Sequence, residues 1–161
     1  MHGCPRIRLA RTGFTDINTV IINHQRMMID TAPIIYFIEE NETYGPAMES
    51  LIQTATDKEC VLMTSVITLV EVLTHPLRMN KPEIAERYRT VLADSKNIIM
   101  YPIDTLVAER AAELRARHQL KTPDALQIAV SLENNASLFI TNDKQLKKVD
   151  DIEIVLLSDF L

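Results

Sequence analysis

Residues 27–40 read MMIDTAPIIYFIEE. Three apolar residues, Met27, Met28 and Ile29, close on one acid, Asp30, and a second apolar segment begins with Pro33 near its head. Proline is tolerated in the first helical turn, where its missing N–H has no intrahelical partner to lose. The stretch therefore predicts a strand over 27–30 that turns at once into a helix, with Asp30 at the joint.

The same design recurs outward from this point. Further strands are predicted over 60–63, 98–101, 137–141 and 152–156, each a short apolar run bounded by turn residues. Helical segments lie between them: GPAMESLIQTATDKE (45–59), TSVITLVEVLTHP (64–76), PEIAERYRTVLADS (82–95), DTLVAERAAELRARHQ (104–119) and TPDALQIAVSLENN (122–135). Asp104 and Thr122 are the expected N-caps of the last two, and Asn134 or Asn135 marks an end. Strand and helix in alternation predict an α/β domain with a central, mainly parallel five-stranded sheet. Residues 1–26 stand apart, with Gly3, Pro5, Gly13, the basic Arg6, Arg8 and Arg11, and an extra strand expected around 19–22.

Composition bounds the function classes. At 161 residues, 47% hydrophobic and 24% charged, the chain is sized for one domain with its own core. Cys4 and Cys60 form no disulfide framework, and no apolar run approaches the roughly 20 residues that span a bilayer. The expectation is a cytoplasmic protein without a membrane association. A net charge of -5 argues against gripping nucleic acid by bulk electrostatics, although Arg110, Arg115, Arg117 and Lys121 form one basic group and Lys144, Lys147 and Lys148 another. Solvated helix faces explain these groups as well as a phosphate track does. With three glycines and no GxxxxGK[ST], a nucleotide-binding P-loop is excluded.

Four acids fall at the ends of the apolar runs: Asp30, Glu71, Asp124 and Asp143. Singly, each has an ordinary explanation. Asp30 and Asp124 suit the first turns of helices, and Asp143 follows Asn142 in a turn composition. Glu71 is less ordinary, because six of the eight residues in VITLVEVL (66–73) are apolar and Thr64, Thr68, Glu71 and His75 share one narrow polar stripe. Jointly, ligands of open α/β sheets gather outside the carboxyl ends of strands, where all four acids would meet. Carboxylates brought together repel unless a hard cation neutralises them, which points to Mg²⁺ or Mn²⁺ and phosphodiester chemistry. His75 and His118, each near a helix end, are read as C-terminal caps.

These strings resemble the PIN domain family of metal-dependent ribonucleases, and most closely its VapC-type toxins. MMIDTAPIIYFIEE is similar to the family's opening strand and helix, TSVITLVEVL to its second acidic motif, LRARHQLKTPDALQIA (114–129) to its third and LFITNDKQL (138–146) to its fourth. The resemblance implies a PIN-like three-layer α/β/α domain over 27–161, with 1–26 as an N-terminal extension. It implies that Asp30, Glu71, Asp124 and Asp143 are the catalytic and metal-binding acids, Asp30 and Asp124 as primary ligands, with Thr31 and Thr141 as auxiliary hydroxyls. One or two Mg²⁺ or Mn²⁺ ions, roughly 3.5–4 Å apart where two bind, would serve in-line hydrolysis of RNA to a 5′-phosphate and a 3′-hydroxyl. The implied partners are the RNA substrate, a cognate antitoxin and a second copy of the chain. Two departures stand out: Ala32 and Pro33 where the toxins usually carry Asn, and Leu146 where an aromatic is frequent.

Two other readings belong to different classes. A receiver-like signalling domain would want an adjacent acidic pair after the first strand and an acceptor Asp after the middle one, and IIMYP (98–102) ends without it. A non-catalytic PIN-like interaction module would keep the scaffold without hydrolysis.

Overall fold

The computed structural model describes residues 16–161. The basic residues Arg6, Arg8 and Arg11, and Cys4, lie outside this range.

Five strands, β1 (Arg26–Ile29), β2 (Val61–Ser65), β3 (Ile98–Tyr101), β4 (Leu138–Thr141) and β5 (Glu153–Leu156), form a single sheet in the order β3-β2-β1-β4-β5, parallel throughout. The helices are α1 (Ile17–Ile21), α2 (Thr31–Ile38), α3 (Gly45–Asp57), α4 (Val66–Arg78), α5 (Pro82–Asp94), α6 (Thr105–His118) and α7 (Thr122–Glu133), with 3₁₀ turns at Lys144–Lys148 and Leu157–Phe160. The chain builds outward from β1 through β2 to β3, then returns to place β4 on the other side of β1. The strand order therefore reverses between β1 and β4, the position at which open α/β sheets place their ligands.

Alternation along the strands supplies two cores. Met27 and Ile29 face one side, with Leu62, Leu138 and Ile140, under Ile34 and Ile38 of α2, Met48 and Leu51 of α3, and Tyr88 and Leu92 of α5. Met28 faces the other side, with Met63 and Phe139, under Val107, Ala111 and Leu114 of α6 and Ala125, Ile128 and Ala129 of α7. A sheet covered on both faces is why its strands read as unbroken apolar runs rather than as a polar alternation.

Three local expectations are corrected. Residues 17–21 are helical, not a strand: Asp16 accepts the Asn18 N–H and starts α1, which buries Ile17 and Ile21 in the first core. Thr122 is not an N-cap but the first residue of α7, and Lys121 occupies the cap position without a side-chain hydrogen bond. His118 caps no carbonyl; α6 ends instead on Gln119 in a left-handed conformation (φ 52°), whose N–H bonds the Arg115 carbonyl. Asp104 caps α6 as expected, through the Val107 N–H at 2.9 Å.

Candidate metal centre

Asp30 leaves β1 at the reversal point. Its N–H donates to the Ile140 carbonyl at 2.9 Å, extending the β1–β4 ladder by one bond. One carboxylate oxygen accepts the Thr31 N–H at 2.8 Å and caps α2, while the other accepts the Thr141 hydroxyl at 2.7 Å. Thr141 Oγ1 in turn accepts the Asp143 N–H at 3.0 Å, so one buried hydroxyl ties the acids that follow β1 and β4 to each other. Asp143 also caps the 3₁₀ turn Lys144–Lys148 through the Gln145 N–H at 2.8 Å. Capping and membership of an acidic site are therefore compatible at Asp30 and Asp143, because a carboxylate has lone pairs enough for both.

Asp124 sits half-buried in the first turn of α7, and Glu71 lies on the exposed side of α4, where its carboxylate accepts the Thr31 hydroxyl. Burial raises Asp30 above the ordinary carboxylate range; hydrogen bonds from Thr141 and Thr31 oppose the rise, and the charges of Glu71 and Asp143 add to it. Asp124 is raised by burial and then by the charges of Asp30 and Asp143, against Lys121 and Lys148. The four acids thus form one electrostatic group, two of them held partly against ionisation by the others. An all-oxygen donor set whose members disfavour one another's charge fits a hard divalent cation.

No three of these carboxylates bring ligand oxygens within 4.8 Å of one another; among the described residues, the group that does is His118, Asp150 and Asp151. That group stands where the end of α6 meets the turn before β5. Burial alone would raise Asp151, but hydrogen bonds from Arg117 and His118, the latter at 2.7 Å, and their charges hold it below the ordinary range. His118 is therefore the partner of Asp151 in an ion-pair cluster. A concavity of about 510 Å³ between Phe37, Ile38, Pro46 and Val91 is lined by none of the four acids.

The basic groups divide. Arg110 pairs with Glu113 and Glu133, Arg117 with Asp151, and Lys147 with Asp159, while Arg115 donates to the Leu120 carbonyl. Lys121 and Lys144 make no ion pair or side-chain hydrogen bond among the described residues and are exposed beside Asp124 and Asp143.

The polar stripe on TSVITLVEVLTHP is not a solvent stripe. Thr64 belongs to β2, and Thr64 and Thr68 are fully buried, so that only Glu71 and His75 reach the exposed side. The partner that buries them is Gln127 of α7, which donates to Thr68 at 2.8 Å and to Thr31 at 3.3 Å and accepts from Ser65 at 2.6 Å. Sequence reasoning passed over Gln127 and Ser65, and placed Thr68 on the stripe without identifying its partner. One signal was available: a glutamine among the apolar residues of ALQIAV (125–130), one turn after Asp124, needs buried partners.

The model of the PIN domain family matches residues 27–152. Comparison with curated proteins gave no match. Among solved structures, the DNA-bound VapBC of Salmonella typhimurium superposes with a TM-score of 0.65 at 17% identity, covering 82% of this chain and 98% of that one. VapBC2 from Rickettsia felis, bound to a promoter DNA fragment, gives 0.64 at 17%, covering 81% and 98%. VapC20 of Mycobacterium tuberculosis, a sarcin-ricin loop cleaving toxin, gives 0.62 at 19%, covering 79% and 97%.

Proposed function

The chain belongs to the PIN domain family, and from that premise we propose that it is a divalent-metal-dependent endoribonuclease, the toxin of a toxin-antitoxin pair. The observation that carries this reading is the mutual action of Asp30, Glu71, Asp124 and Asp143 at the reversal of strand order, where burial raises Asp30 and Asp124 and the charges of neighbouring acids add to the rise. Asp30 and Asp124 are assigned as direct ligands, and Glu71 and Asp143 as ligands directly or through water. Mg²⁺ or Mn²⁺ held there would supply Lewis-acid activation of water and neutralise the charge that builds on a phosphate during in-line displacement.

The protein's own groups do the rest. Thr141 orients Asp30 and holds the Asp143 backbone; Thr31 orients Glu71. Lys121 and Lys144 offer point charges to the phosphates that flank the scissile bond, which gives an acidic chain a local basic rim. We assign residues 27–161 to the PIN unit and 1–26 to an extension whose α1 packs on it. The similar structures include VapBC complexes, which supports a cognate antitoxin as partner; a second copy of the chain is the further partner assigned.

The test is cleavage of total RNA and of a labelled structured RNA in Mn²⁺, Mg²⁺ or EDTA, beside Asp30→Asn. Cutting that needs metal and vanishes in the variant is the expected result. Metal binding without cleavage of any RNA would favour the non-catalytic interaction module.

A further inference from the structure

We propose that Gln127 is a positioning residue for this site: it polarises a buried hydroxyl relay so that the Thr31 proton is delivered to Glu71. The proposal rests on the nuclease reading above.

The direction of the relay follows from counting donors. Ser65 caps α4, its Oγ accepting the Ile67 N–H at 3.1 Å, so its own proton turns to Gln127 Oε1 at 2.6 Å. That contact fixes which end of the amide is oxygen. The opposite end, Nε2, can only donate, and it faces two hydroxyls, Thr68 at 2.8 Å and Thr31 at 3.3 Å. Both threonines must therefore accept from Gln127 and pass their protons on. Thr64 donates to Thr68 at 2.9 Å, so Thr68 already accepts twice and the acceptor left for its own proton is Thr31, 3.0 Å away. Thr31 Oγ1 then has both acceptor sites filled, and its single proton has one destination, the Glu71 carboxylate.

The relay is dry. Thr64, Ser65 and Thr68 are fully buried, Gln127 is 1% exposed and Thr31 8% exposed. Reversing the amide would make Ser65 Oγ accept twice, from the Ile67 N–H and from Gln127, and leave its own buried proton without an acceptor among its contacts, so the alternative arrangement carries an unpaired buried donor. Gln127 stands one helical turn beyond Asp124 on α7, Thr31 next to Asp30 on α2, and Glu71 one turn beyond Thr68 on α4. One amide thus joins the three helices that carry three of the acids, and orients Glu71 on the exposed side of α4. Outer hydrogen-bond partners of metal ligands commonly affect metal affinity by tenfold to a hundredfold.

The experiment is Mn²⁺ calorimetry on the full chain for wild type, Gln127→Met, Glu71→Ala and the double variant, with thermal melts of each. The expected result is about a tenfold to hundredfold weaker Kd in Gln127→Met, and no further loss when Gln127→Met is added to Glu71→Ala. Thr31→Val should weaken Mn²⁺ binding in the same way and Thr31→Ser, which keeps the hydroxyl, should restore it; this pair carries the test where Gln127→Met does not fold. Equal losses with and without Glu71 would overturn the positioning role alone, because Gln127 would then act on the fold and not through Glu71. Absence of Mn²⁺ heat in the folded wild type would overturn the metal-nuclease reading itself, and the relay's function with it.

Discussion

Asp30 shows how one side chain serves the fold and the site with opposite energetic signs. As the cap of α2 it stabilises, and as a buried charge near Glu71 and Asp143 it destabilises. Asparagine is as good a cap and carries no charge. Asp30→Asn is therefore expected to raise the stability of the metal-free protein at neutral pH, because burial and the neighbouring acids oppose the Asp30 charge, while removing metal-dependent cleavage. The pH dependence has a defined direction. Asp30 and Asp124 sit above the ordinary carboxylate range, so their contribution is most favourable when they are protonated and is lost as pH rises through the raised range. Asp151 runs the other way, its stabilisation present at neutral pH and lost as pH falls through its lowered range. Melts in EDTA from acid to neutral pH should thus show the gap between Asp30→Asn and wild type widening with pH; a gap that narrows would contradict the burial and repulsion assigned to Asp30.

The helices and strands were largely legible because their signals are local. MMID turning into TAPIIYFI, and Asp104 ahead of TLVAERAAELRARH, announce element boundaries within a few residues, and the structure has β1, α2 and α6 there. Asp104→Ala removes the hydrogen bond to the Val107 N–H and should cost about 1 kcal/mol in denaturant melts, with Mn²⁺ binding and cleavage unchanged, since α6 carries none of the acids. The failures were non-local or ambiguous. The β-branched TVII suggested a strand at 19–22, but among the described residues no strand pairs with it, and Asp16 with the apolar cover of α3 makes a helix instead. Gln127 carries no sign in its own neighbourhood of Ser65, 62 residues away, or of Thr31, 96 away. A polar network closed among β2, α2, α4 and α7 is a property of the packing, and only a glutamine in an apolar run hints at it.

At the scale of the molecule, the sheet order β3-β2-β1-β4-β5 brings together acids that are up to 113 positions apart, and the fold holds them against their own repulsion. The strands and helices that carry these acids are held by the two cores on either face of the sheet, so on the proposed metal reading the acids are grouped before any cation binds. A cation that relieves the repulsion binds the native state and has no equivalent site in the unfolded chain, and stability must therefore rise with its concentration. At a hundredfold excess over Kd the gain is about 2.7 kcal/mol, which for a chain of this length corresponds to a Tm increase of about 5–10 °C. Asp124→Asn should remove most of that increase while leaving the melt in EDTA close to that of the wild type or above it, because the substitution also lifts a raised carboxylate from the cluster. The discriminating measurement is a thermal melt series in Mn²⁺, Mg²⁺ and EDTA on wild type, Asp124→Asn and Asp151→Asn. The last variant removes the cluster at the end of α6, where His118, Asp150 and Asp151 stand closest together. Metal stabilisation that survives Asp151→Asn and is lost in Asp124→Asn locates the cation at the strand-order reversal. The opposite pattern would move it to the ion-pair cluster and leave the four acids without a cation to justify their grouping.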